Sequence, residues 1–306
     1  MARRKLLKEI TIKNNFMFGA VMCDEKNCKG LLERVLNIPI ERVEVSKEKS
    51  ILYHPMYKGI RLDVYAKDEQ GTHYDIEMQA LTHPALEKRS RYYHSQMDME
   101  LLQSGEDYEQ LPNAYVIFIC DFDPFRKRKY CYTFESVCQE DKDLVLNDGR
   151  KSIFLSTEGE NEEEVSPSLV KFLQFVKADL LESEKDFEDD FVKSLQDSVQ
   201  RVKESREMEK NFMLFQEFLK EERKQGRAEG RAEGLEEGRA EGREEGREEG
   251  RVEGIANSIV AILEDKGSIP QNLRDRITQE KDLDVLGQWV KKAALAESVT
   301  QFLEQI

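Results

Sequence analysis

Two carboxylates in one short stretch, Asp63 and Glu77 of RLDVYAKDEQGTHYDIEMQ (61–79), have the type and spacing to share a cation. Residues 61–67 and 73–79 read as the two strands of a hairpin. In the first, Leu62, Val64 and Ala66 alternate with Arg61, Asp63, Tyr65 and Lys67. In the second, Tyr74, Ile76 and Met78 alternate with His73, Asp75, Glu77 and Gln79. If both apolar sets point into a core, both polar sets share one surface. The loop Glu69-Gln70-Gly71 fits a type I turn closed by a left-handed residue, with Gly71 where a positive φ is needed. That loop opposes Asp68 to Thr72 and, counting outward, Asp63 to Glu77. A loop one residue longer would oppose Asp63 to Ile76 and break the alternation.

Directly opposed residues have Cβ atoms about 4.5–5.5 Å apart, and like charges there are destabilising. Protonation, neighbouring cations or screening water can each reconcile such a pair. A hard divalent cation is the chemically useful solution. Mg²⁺, with Mn²⁺ as a substitute, takes one or two protein carboxylates, keeps several waters and offers open positions to a phosphate. The bland alternative is an exposed hairpin whose solvated acids lie beside Arg61 and Lys67.

The elements that must position these acids can be read on either side. Residues 14–38 place Phe16, Val21, Leu31, Leu32, Val35 and Leu36 at helical spacing, so one or two short helices precede Pro39. Residues 41–53 alternate and are rich in β-branched types, which predicts a strand. After the hairpin, residues 84–105 read as a helix with Pro84 near its start and Gly105 past its end. Residues 114–120 (AYVIFIC) form a buried strand, and 127–138 and 151–157 read as two more around the turn-prone NDG at 147–149. This order predicts an α/β fold with a mixed sheet flanked by helices over 1–157. Residues 158–225 read as an acidic linker and charged helices, and 255–306 as a small helical segment. Between them, 226–254 carries glycine at every fourth position, chiefly as Gly-Arg-x-Glu. As an isolated helix this repeat loses about 8 kcal/mol to its eight glycines. Glu–Arg pairs such as Glu244–Arg247 return only about 0.2–0.5 kcal/mol each. It reads either as a flexible spacer or as a helix that packs against a partner and oligomerises the chain.

The 306 residues carry a formal charge of −15, with 36% charged residues, so a protein basic over its whole surface is excluded. The acidity is uneven. Residues 1–60 hold 12 Lys/Arg against 7 Asp/Glu, whereas 158–190 hold 12 Asp/Glu against 3 Lys. A nucleic-acid partner therefore stays open. Cys23, Cys28, Cys120, Cys131 and Cys138 have no metal-like spacing and read as structural thiols of a reducing cytoplasm. His54, His73, His83 and His94 do not form a zinc pattern and read as surface residues. The basic opening MARRKLLKEITIKNNF lacks the apolar stretch of a signal peptide. The longest wholly apolar run, YVIFIC, is far short of a membrane span, so a soluble, cytoplasmic protein is expected.

An acid in one strand and Glu-x-Gln in the next, after an N-terminal helix and before another helix, resembles the PD-(D/E)XK nuclease superfamily with its restriction-endonuclease-like core. Several stretches resemble, more narrowly, the Rpn family of recombination-promoting nucleases and transposases. They are TIKNNFMFGAVM (11–22), residues 61–79, KRSRYYHSQMDMELLQSGEDY (88–108), YVIFICDFDPF (115–125) and the Gly-Arg-x-Glu tail. The resemblance implies a Mg²⁺-dependent DNA endonuclease in which Asp63 and Glu77 are metal ligands and the Met78 carbonyl completes the protein's share. Gln79 stands where much of the superfamily has lysine. An amide carries no charge and orients water only by hydrogen bonds, which leaves the electrostatic work to the metal. Gln96 is implied as an assisting residue and Glu33 as an extra acid. Arg89 and Arg91 are candidate phosphate clamps, with plain surface arginines as the alternative. The competing expectation is a nuclease-like module that binds DNA or protein without cleaving it and is assembled through the repeat.

Overall fold

The computed structural model describes residues 6–47, 49–51 and 60–306, so His54 and residues 48, 52 and 53 of the predicted 41–53 strand lie outside the described residues. Two helices open the chain, α1 (Asn15–Met22) and α2 (Glu25–Leu36). Each starts on a side-chain cap. Asn14 accepts from the Phe16 N–H, and Asp24 accepts from those of Lys26 and Asn27. Then come β1 (Val43–Lys47), the short pair β2 (Ser50–Ile51) and β3 (Ile60–Arg61), β4 (Val64–Asp68) and β5 (His73–Gln79). They are followed by α3 (Leu86–Leu101), β6 (Ala114–Cys120), β7 (Cys131–Phe134) and β8 (Arg150–Ser156). Six strands form one mixed sheet in the order β1-β4-β5-β6-β8-β7. The β5–β6 and β6–β8 pairs are parallel and the others antiparallel.

The hairpin has the register that its loop demands. Val64 faces Ile76, Tyr65 faces Asp75, and the Asp68 N–H donates to the Thr72 carbonyl. Gly71 takes φ +82° to close the turn. Two expectations fail around it. Leu62 does not continue the Val64–Ala66 face, because the chain bends at 62–63 and Leu62 packs with Tyr65 instead. Nor is the hairpin's polar face an exposed surface. All seven residues of β5 are buried, because α3 covers the face that carries Asp75, Glu77 and Gln79. His73 and His94 are buried by the same packing, contrary to the surface reading, and burial lowers each to about 4.

The core does not stop at residue 157. The apolar stripes of α4 (Pro167–Lys177) and α5 (Asp190–Glu204) pack on the opposite face of the sheet with α1 and α2. Phe172, Leu173, Val192 and Leu195 are fully buried there. The charge seen in the sequence occupies their outer sides. Gly30 of α2 is where α5 approaches most closely, since a Cβ there would meet the Phe191 ring at 2.6 Å. That ring cannot yield easily, with the Arg34 guanidinium 4.0 Å above it and Phe172 beside it. Gly30→Ala is therefore expected to cost about 1–3 kcal/mol, read as a fall of several degrees in melting temperature. An unchanged melting temperature would show that α5 is not seated on α2.

The predicted strand 127–138 shrinks to β7. The basic residues before it form a turn in which Arg126 and Arg128 take φ +57° and +55°. Asp123 accepts from the Phe125 and Arg128 N–H groups and the Tyr132 hydroxyl, which compensates that strain. The four-residue repeat is helical, inside α6 (Arg206–Glu264), rather than an irregular spacer. Its ends are anchored, Phe212 in the first core and Ala256, Ile259 and Leu263 in another. Nothing lies within 4 Å of where a Cβ would stand on any of the repeat's eight glycines.

The chain divides into two compact units, 1–217 and 218–306. In the second, α7 (Gln271–Gln279), α8 (Leu283–Leu295) and α9 (Val299–Leu303) enclose Trp289, Leu286 and Phe302 with the end of α6. Lys266 Nζ caps the end of α8 by donating to the carbonyls of Ala293, Ala294 and Ala296. All five cysteines are free thiols. Among the described residues, no helix is long and apolar enough to cross a membrane.

Candidate active site

Asp63 sits at the bend before β4, and Glu77 lies opposite it on β5. The two are interlocked rather than merely adjacent. The Asp63 N–H donates to Glu77 Oε1 at 3.0 Å, and the Met78 N–H donates to Asp63 Oδ2 at 3.2 Å. Asn15, the first residue of α1, adds a side-chain donor to the same Asp63 oxygen at 3.2 Å. Each carboxylate is thus fixed by the backbone of the other's strand. The Met78 backbone is also oriented. In the parallel β5–β6 pairing, the His73 N–H and the Gln79 carbonyl are bonded on the β6 side, so Met78 turns its backbone to the other edge. Its carbonyl therefore lies on the edge where its N–H meets Asp63.

Arg89, one turn into α3, is the cation that the fold brings to Glu77. Its Nη2 donates to Glu77 Oε2 at 2.5 Å, Nη1 to Gln79 Oε1 at 3.3 Å, and Nε to the Tyr93 hydroxyl at 2.7 Å. The guanidinium also lies 4.9 Å from the Tyr93 ring centre and 5.7 Å from that of Phe118. Arg89 is therefore committed to the acids. Arg91 is exposed on the same helix, and Gln96 is buried two turns beyond Arg89. Glu33 is used locally, accepting from the Ile40 N–H at 3.1 Å with Lys29 at 3.9 Å. No contact brings Glu33 to Asp63 or Glu77 among the described residues.

The Arg89 guanidinium does not outweigh the burial and repulsion that act on Glu77. Burial, and then the Asp63 charge, push Glu77 up to about 8, with Arg89 opposing them. Asp75, two residues earlier on the same strand face, is wholly buried. It is raised well above the carboxylate range by that burial and by the charges of Glu77 and Asp63. With both acids ionised neither Asp75 oxygen has a donor, and only a proton shared with Glu77 pairs them. Sequence reasoning placed Asp75 on the correct face but treated that face as open to water. Asn15 and Tyr93 carry no signal of their own in the sequence.

The donor set suits a hard cation: two carboxylates and a carbonyl, all oxygen, with an unsatisfied buried acid next to them. Among the described residues, no three acidic, histidine or cysteine side chains already form a closed metal cage. Mg²⁺ does not need one, because it retains water and commonly uses only one or two carboxylates.

A mixed sheet with helices on both faces, an acid at the mouth of one strand and Glu-x-Gln on the next, is the architecture of a PD-(D/E)XK nuclease. The family model described as PD-(D/E)XK nuclease family transposase matches residues 12–232, and the chain belongs to that family. The match continues past the sheet through α4 and α5, whose side chains complete the first core. No curated protein and no solved structure matches the chain.

Proposed function

We propose that this chain is a Mg²⁺-dependent DNA endonuclease that hydrolyses phosphodiester bonds, in the setting of transposition or recombination that its family description suggests. The observation that carries this reading is the interlocked pair Asp63–Glu77, held in register beside Gln79. Asp63, Glu77 and the Met78 carbonyl would hold the cation. When bound, it supplies Lewis acidity toward a phosphate oxygen and an attacking water. Gln79, anchored through its Oε1 by Arg89, presents its amide nitrogen as a donor that can fix the water or a phosphate oxygen. Arg89 and Tyr93 set the position of Glu77 from above. Arg91, exposed two residues beyond Arg89 and so about 200° round α3, could meet backbone phosphate only on the outer side of that helix. Water adds to phosphorus, one P–O ester bond breaks, and the departing oxygen leaves as a hydroxyl.

Purified protein is expected to nick supercoiled plasmid in Mg²⁺ and not in chelator. Glu77→Gln, which keeps the shape but not the charge, should fold and lose cleavage. DNA binding should weaken steeply between low and moderate salt, because phosphate contacts dominate it. Undiminished nicking by Glu77→Gln would end the proposal. DNA binding without cleavage under Mg²⁺ or Mn²⁺ would instead select the binding module assembled through its repeat.

A further inference from the structure

Among the described residues of the first unit, Asp75 is the one carboxylate whose burial the fold does not explain. Other buried acids are satisfied. Asp68 accepts from the Gln70 and Thr72 N–H groups and from the Tyr74 hydroxyl, and Glu77 accepts from Asp63 and Arg89. Asp75 is 0% exposed, and apart from a proton shared with Glu77 its oxygens meet no donor. A buried acceptor pair left in that state calls for an ion or water to complete it. Its neighbours in register are Tyr65 on β4 and Val116 on β6. The Tyr65 hydroxyl is taken by His73 Nδ1 at 2.6 Å, and Val116 offers no polar side chain. Packing alone would be served better by an apolar residue at this position. Strand alternation puts Asp75 on the side of Glu77, about 7 Å along the strand. Arg89 is held by Glu77, Gln79 and Tyr93.

We propose that Asp75 is an outer carboxylate of the divalent-cation site, its buried oxygens placed to accept from the waters that the ion keeps beside Asp63 and Glu77. This rests on the metal-dependent reading above and adds a residue to it. An additional acid raises the demand for a doubly charged ion and lowers the competitiveness of a single guanidinium. The role is separable from folding, because in the metal-free protein a proton shared with Glu77 is all that offsets the desolvation of Asp75.

The test is calorimetric titration of chelator-treated full-length protein with Mn²⁺, beside metal-free thermal melts. Asp75→Asn is expected to weaken Mn²⁺ binding by about 10- to 100-fold and to raise the metal-free melting temperature. Asp75→Ala, which removes every polar atom, should weaken Mn²⁺ binding to the same extent. Wild-type Mn²⁺ affinity in both variants would overturn the assignment, provided Asp63→Ala has lost binding. Mn²⁺ uptake absent from the wild type would overturn the metal reading as a whole. Metal-free melting temperatures lowered in both variants would also overturn it, since the carboxyl would then serve the fold.

Discussion

Replacing Asp63 by alanine should leave a folded protein whose Mg²⁺-dependent cleavage falls on the order of 10³-fold or more. Asp63 is the more solvent-accessible of the interlocked acids, so its loss is cheap for the fold. Of the donors it leaves, Asn15 Nδ2 borders solvent and can turn to water, and the buried Met78 N–H can be met by water entering the space of the lost carboxylate. The structural cost is about 1 kcal/mol, and relief of repulsion with Glu77 offsets part of it. The chemical cost is far larger, because one of the two carboxylates of the donor set disappears. Asp63→Asn separates the two effects. It keeps an oxygen to accept from Asn15 and Met78 but no charge, so it should melt at or above the wild-type temperature and still fail to cleave. Plasmid nicking beside thermal melts distinguishes the cases. Cleavage that survives in Asp63→Asn would mean that the residue acts through hydrogen bonding alone.

The part of this site visible in sequence is the part fixed by local rules. Gly71 and a three-residue loop set the register, and period-two alternation then put Asp63, Asp75, Glu77 and Gln79 on one side. What alternation cannot report is whether a second layer covers that side. The fate of Asp75, His73 and the Arg89 pairing depends on α3 crossing the sheet, a contact between residues far apart in sequence and marked by no motif. The same gap explains α4 and α5. Their charged outer faces dominate a composition count, whereas Phe172, Leu173, Val192 and Leu195 at helical spacing decide where they pack. The repeat shows the reverse limit. Its glycines argue against a helix on propensity, yet segments anchored at both ends carry the helix through.

Arg89→Met should produce a stability loss that grows with pH in metal-free protein. Glu77 has a folded-state value of about 8, above its ordinary 4.5. A carboxyl raised in this way favours the fold while protonated, so its contribution is full below about 4.5 and is lost as pH rises through about 8. Arg89 resists that loss, because its guanidinium is the counter-ion once Glu77 ionises. Methionine keeps the apolar stem against Tyr93 and Phe118 but removes the charge, which moves Glu77 still higher. At pH 6, where Glu77 is protonated in both proteins, the variant should lose little. At pH 9 the wild type holds a paired carboxylate, whereas the variant must bury a charge alone or retain a proton at a cost. That difference amounts to about 3–5 kcal/mol, or roughly 10 °C in melting temperature for a unit of this size. Mn²⁺ should restore much of it by taking the place of the guanidinium at Glu77, and should bind the variant more tightly than the wild type. Chelator-treated melts at the two pH values decide the matter. An equal loss at both would mean that Arg89 contributes packing and is not the counter-ion that a metal must displace.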